Sequence, residues 1–332
     1  MIKLVGRVAL VLWCACSWLQ GQDAKDEATE IATKTGLVLE SQESDHFVFL
    51  WGVPRAAGQP SLLAAEAAWS EFSKMSSVTD AGLLFGSRKP LIALFAAKTG
   101  YDKFADWYDA KFTPYPGFAE NVKRAVFWPQ PTPRIATFTH LKPNTPESAR
   151  NIIAHEVGHL LVMRWKYHNN FLPPWFEEGF ACWLEAKTLG RNNCYCFSGG
   201  YGDRATRLDK INDIEWPRWK SSVAQQVRGK SDKALRTIVP MPLSDLAAPE
   251  MGKAWSIVDY MASQGGDKLL LFIEKFKAHW PKEIVFEHNA AKAAAQEQAL
   301  QDVFGKDFDS FDAAWREWVL KNYKIVSGAA VK

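Results

Sequence analysis

The sequence predicts an α+β fold: a small mixed β-sheet lobe with helices, then a mainly helical C-terminal lobe. Three observations carry this. Short apolar runs bounded by Pro and Gly fill the first half and read as strands. An apolar helix holding two histidines four apart, His155 and His159, stands at the centre of the chain. Beyond it, stretch after stretch has helical spacing.

The chain has 332 residues, enough for one large domain or two lobes. It is 47% hydrophobic and 13% aromatic, so it can bury a substantial core. Most of its fifteen tryptophans are expected there. Forty basic residues against thirty-seven acidic give +3 without a long basic run, which points away from nucleic acid.

Residues 1–21 read as a signal peptide cut between 17 and 24. Lys3 and Arg7 are its positive start, and Val8 to Leu19 is an apolar run too short to span a bilayer comfortably. The expectation is an exported protein, periplasmic or secreted, with no membrane span once that segment is removed. Cys14 and Cys16 invite a lipoprotein reading, but bulky Trp13 before Cys14 and the poor context of Cys16 count against it. Cys182, Cys194 and Cys196 remain. Either Cys182 pairs with Cys194 or Cys196, or all three stay thiols.

Residues 22–40 begin charged and polar and read as a loose segment. His46 to Trp51 is a buried strand, and Ser61 to Met75 a helix. Leu91 to Phe95 is a second strand, and Tyr101 to Ala110 a short helix. Arg124 to Trp128 and Arg134 to Thr139 are two more strands, joined by a proline-rich turn. Residues 41–190 thus form the α+β lobe. Thr145 caps the central helix, with Pro146 at its first position. Asn192 to Gly202 is a glycine- and asparagine-rich loop. Residues 191–325 form the helical lobe, with helices over Met251–Met261, Asp267–Trp280, Asn289–Phe304 and Ser310–Tyr323. Gly265, Gly266 and Gly305 mark the breaks.

The chemistry sits in His155-Glu156-Val157-Gly158-His159, an HExxH sequence. Histidines four apart share one helix face and reach one ion. Glu156 lies about 100° around the helix from His155, placed to handle a water's proton. A catalytic zinc needs a third protein ligand and an open position. Pro173 to Glu185 reads as a second helix, and Glu178 follows His159 after eighteen residues, room enough to turn and cross back. Acids in its first turn sit at the positive end of the dipole. Glu177 competes with Glu178; the two differ by about 100°, so only one can face the ion.

HExxH, eighteen residues, then Trp175-Phe176-Glu177-Glu178-Gly179-Phe180-Ala181 resembles the gluzincin metallopeptidases, especially the aminopeptidase-N type. The closer overall likeness is to the peptidase MA-like domains of exported bacterial proteins. The strong resemblance covers residues 145–186, and a looser one most of the mature chain. It implies a zincin-like fold, one zinc ion, and a peptide or protein substrate. The family pattern puts the ligand directly before glycine, which selects His155, His159 and Glu178 as the metal set and Glu156 as general base. Glu185 matches an acid common in that segment and is a candidate to orient a histidine.

Two features depart from the pattern. Aminopeptidase-N types bind the substrate's amino terminus with Gly-x-Met-Glu-Asn; here Gly117 to Asn121 has Ala119 for the methionine, and Glu120 is the candidate contact. Related peptidases steady the oxyanion with a downstream tyrosine, and Met251 stands where that tyrosine is often found. Tyr260, Tyr201 and His168 are the substitutes considered. The remaining histidines, His46, His140, His279 and His288, are bystanders. A peptidase is the expected function; a zinc-holding scaffold or binding module without catalysis is the alternative. An intact Glu156 favours the first, because a structural site needs no base.

Overall fold

The structure is a computed structural model that describes residues 24–125, 127–141, 146–166, 172–192, 216–280 and 290–325. The expected signal segment, Thr145, His168, Cys194, Cys196 and Tyr201 lie outside them. The described chain mixes a five-stranded sheet with thirteen α-helices and is mostly helical.

The strands are β1 (Glu40–Glu43), β2 (Val48–Gly52), β3 (Leu91–Phe95), β4 (Phe127–Gln130) and β5 (Ala136–His140). Their order is β1-β2-β3-β5-β4. β2, β3 and β5 run parallel, while β1 and β4 are antiparallel edges. Both faces of the middle strands are covered, which is why β2 and β3 read as unbroken apolar runs. Phe49, Trp51, Ile92 and Leu94 pack on one face, and Val48, Leu50, Leu91 and Ala93 on the other.

Helix α2 (Arg55–Ser76) covers the first face and packs on the central helix α6 (Pro146–Arg164). It begins six residues before the expected start, because Pro60 lies inside it rather than ahead of it. A one-turn helix α3 (Gly82–Phe85) follows. The second face carries α4 (Lys98–Phe112) and α5 (Phe118–Lys123).

Residues 24–35 are not a loose segment but a helix, α1. Ala24, Ala28 and Ile31, at i, i+4 and i+7, bury against the second face. Glu27 pairs there with Arg134. A stripe of mostly small residues gives little hydrophobic signal, so the charged neighbours dominate the sequence. The strand expected at Arg124 starts at Phe127 and includes Pro129; Arg124 instead closes α5.

The helical part comprises α7 (Pro174–Leu189), α8 (Trp216–Arg228), α9 (Leu235–Ile238), α10 (Ala248–Ser263), α11 (Gly266–His279), α12 (Ala290–Phe304) and α13 (Phe308–Asn322). Gly265 and Gly305 have positive φ, 130° and 66°, and separate helices where expected. One hydrophobic core runs from the first sheet face through α2, α6, α7 and α10 to α13. No helix among the described residues is long and apolar enough to cross a membrane.

Candidate metal centre

Helices α6 and α7 meet along two polar-bearing stripes buried in this core. On α6 the stripe is Asn151, His155, Gly158 and His159, at i, i+4, i+7 and i+8. On α7 it is Glu178, Ala181, Cys182 and Glu185, at i, i+3, i+4 and i+7. Each spacing keeps its residues on one helix face. Apolar residues fill the rest of α6: Ile152, Ile153, Val157, Leu160, Leu161 and Val162 are all buried, which makes it the central helix.

Two glycines set the separations. A Cβ on Gly158 would lie 3.0 Å from Ala181 Cα, so α7 crosses α6 closely beside His159. A Cβ on Gly179 would lie 2.8 Å from the Ala254 carbonyl, so α10 presses on the opposite side of α7. Glu178 is thereby held over the histidines. Pro174 starts α7 at a position where proline removes no helix hydrogen bond.

His155 Nε2 and His159 Nε2 stand 3.0 Å apart. Glu178 places Oε2 3.5 Å from the first and Oε1 3.5 Å from the second. Tetrahedral ligands about 2.0–2.1 Å from a zinc are separated by roughly 3.3 Å, so this donor set fits such an ion. The three residues are buried and can hold a metal ion.

The outer ring nitrogen of His159 is hydrogen-bonded, and that of His155 has an acid and a thiol nearby. His159 Nδ1 lies 3.0 Å from Glu177 Oε1. His155 Nδ1 lies 3.7 Å from Glu185 Oε2 and 3.9 Å from Cys182 Sγ. Asn151 Nδ2 donates to Glu185 Oε1 at 2.8 Å. A carboxylate on an outer nitrogen fixes the tautomer that leaves the inner nitrogen's lone pair for the ion. Glu177 is therefore no rival ligand: it supports His159 while Glu178 faces inward.

Burial pushes the Glu156 carboxyl up to about 7, although the two histidines pull it down. That is the range a general base needs near neutral pH. Burial also pulls His159 down, but Glu178 and the Glu177 hydrogen bond outweigh it, and its pKa is raised. The Cys182 thiol is pushed by burial up to about 12, so it remains protonated at neutral pH.

Glu120 is not brought to this centre. It is exposed on α5, whose Phe118 and Val122 pack on the sheet face away from α6. Tyr260 lies about 120° around α10 from Ala254, the residue that meets α7, and its ring packs against Phe311 and Trp318. Met251, one turn before Ala254, is fully buried. Sequence reasoning missed Lys277 of α11. Its Nζ lies 3.2, 2.6 and 2.7 Å from the carbonyl oxygens of Val162, Met163 and Trp165 and so closes the end of α6. Nothing local in the sequence signals that contact. Asn151, four residues before His155, was findable by helix spacing.

No known protein family model matches the chain, and no curated protein matches it in sequence.

Proposed function

We propose that this chain is an exported, zinc-dependent peptidase of zincin-like fold, related to the gluzincins with peptidase MA-like domains. The observation that carries the reading is the convergence of His155, His159 and Glu178 with Glu156 buried among the same charges. A bound zinc would polarise the substrate carbonyl and ease deprotonation of a water. His155, His159 and Glu178 would hold the ion, with Glu177 orienting His159 through its Nδ1 and Glu185 standing as the acid beside His155. Glu156 takes a proton from the attacking water as its oxygen bonds to the carbonyl carbon. It returns that proton to the departing amine nitrogen as the C–N bond breaks. The partners are peptide or protein substrates.

A second reading, a zinc-holding scaffold without catalysis, is favoured by Met251 at the expected tyrosine position and by the depth of the site. His155 and Glu156 are fully buried and His159 is only 2% exposed.

The discriminating experiment compares the purified protein with its Glu156→Gln variant on a mixed peptide library, with cleavage read by mass spectrometry and zinc content measured in the same samples. A peptidase loses roughly a hundredfold or more of its rate in the variant at unchanged zinc content. Equal zinc with no cleavage by either protein selects the scaffold. No zinc in the parent, even after reconstitution, sinks both readings.

A further inference from the structure

The two histidines of the metal centre are supported differently. His159 Nδ1 meets Glu177 at 3.0 Å, within hydrogen-bond reach. His155 Nδ1 faces two groups, Cys182 Sγ at 3.9 Å and Glu185 Oε2 at 3.7 Å. These two act in opposite senses. A thiol S–H can donate to Nδ1, and the imidazole proton then sits on Nε2, where the ion would bind. Negative charge beside Nδ1 favours the other tautomer, with the proton on Nδ1 and the Nε2 lone pair facing inward. At 3.7 Å the acid acts through its charge rather than through a hydrogen bond. That charge counts for more in a buried site than in water. The tautomer of His155 therefore depends on where the Glu185 carboxylate is held.

Asn151 holds it. This residue is 1% exposed, one turn before His155 on the same face of α6, and its Nδ2 donates to Glu185 Oε1 at 2.8 Å. The bond fixes one carboxylate oxygen and leaves Oε2 on the side of His155. It also fixes the amide, because the flipped orientation would set Oδ1 against the carboxylate. In the bonded orientation Oδ1 has no hydrogen-bond partner among the described residues. A buried amide oxygen left unbonded is destabilising, so packing does not account for an asparagine here, whereas the bond to Glu185 does.

We propose, resting on the zinc reading of this site, that Asn151 is a positioning residue of the metal centre. Through Glu185 it selects the His155 tautomer that presents Nε2 to the ion.

Zinc affinity in a double-mutant cycle of Asn151→Leu and Glu185→Met tests this, by competition against a chromophoric chelator. Each single variant should bind zinc about tenfold or more weakly than the parent. The double variant should bind no more weakly than Glu185→Met, because Asn151 acts only through the acid. It also removes both buried partners together, which keeps the comparison with Glu185→Met open if Asn151→Leu alone fails to fold. In the cobalt-loaded protein the shifted N–H resonance of His155 Nδ1 should move in Asn151→Leu, which loss of packing elsewhere would not cause. A parent that binds zinc while Asn151→Leu keeps full affinity overturns the proposal and leaves the metal centre standing. A double variant weaker than Glu185→Met, or an unmoved His155 resonance, overturns it equally. A parent that binds no zinc overturns the metal centre itself and the role of Asn151 with it.

Discussion

The Glu177 carboxylate sits 3.0 Å from His159 Nδ1, while Glu178, its neighbour in sequence, faces His159 Nε2 at 3.5 Å. Adjacent acids thus approach opposite edges of one imidazole. Glu177→Ala should leave the fold intact but weaken zinc binding by about 10–100-fold, the usual loss when such a supporting carboxylate is removed. Competition against a chromophoric chelator measures this. Unchanged affinity would remove Glu177 from the site.

Metal removal should cost stability. Binding confined to the folded state contributes about 4 kcal/mol when free metal exceeds Kd a thousandfold. Chelation should therefore lower the thermal unfolding midpoint, and zinc should restore it in proportion to its concentration. A midpoint indifferent to zinc would mean that the buried His155-His159-Glu178 group holds no such ion.

The two glycines at the helix crossings should be intolerant of a methyl group. In Gly179→Ala the new Cβ meets the Ala254 backbone at 2.8 Å, and backbone cannot rotate away. The expected loss is about 1–3 kcal/mol, as for other overpacked cores. Gly158→Ala, at 3.0 Å from Ala181, should cost somewhat less in stability. It should cost more in zinc affinity, because it pushes α7 off the histidines. Denaturant unfolding and metal competition on both variants separate the two effects.

Lys277 should make stability depend on pH. Burial pulls its ammonium from 10.5 down to about 7; Glu177 opposes the shift and Arg164 adds to it. Between those values the unfolded chain binds a proton that the folded chain has released. The stabilising contribution is therefore complete above the unfolded value and is lost as pH falls towards 7. Relative to Lys277→Met, the parent should gain on the order of 2 kcal/mol between about pH 7 and about pH 9.5. Parallel pH dependences would show that the lysine keeps its proton, held by the three carbonyls.

The sequence by itself determined the parts that depend on local spacing. HExxH places two imidazoles on one face in any α-helix. Pro174 and Gly265 mark helix ends through backbone geometry, and the apolar runs of β2 and β3 announce strands covered on both faces. Tertiary structure decided what no local spacing encodes. The family pattern favours Glu178 as the ligand, but only the angle at which α7 crosses α6 brings Glu177 to the outer edge of His159. Lys277 reaches the end of α6 from more than a hundred residues downstream. Glu120 carries a recognisable short pattern, yet its helix packs on the far side of the sheet. Helix α1 shows the same limit from the other direction. Its few small apolar residues form a helix because the sheet face and the Glu27–Arg134 pair receive them, an energy that exists only once the remote strands are in place.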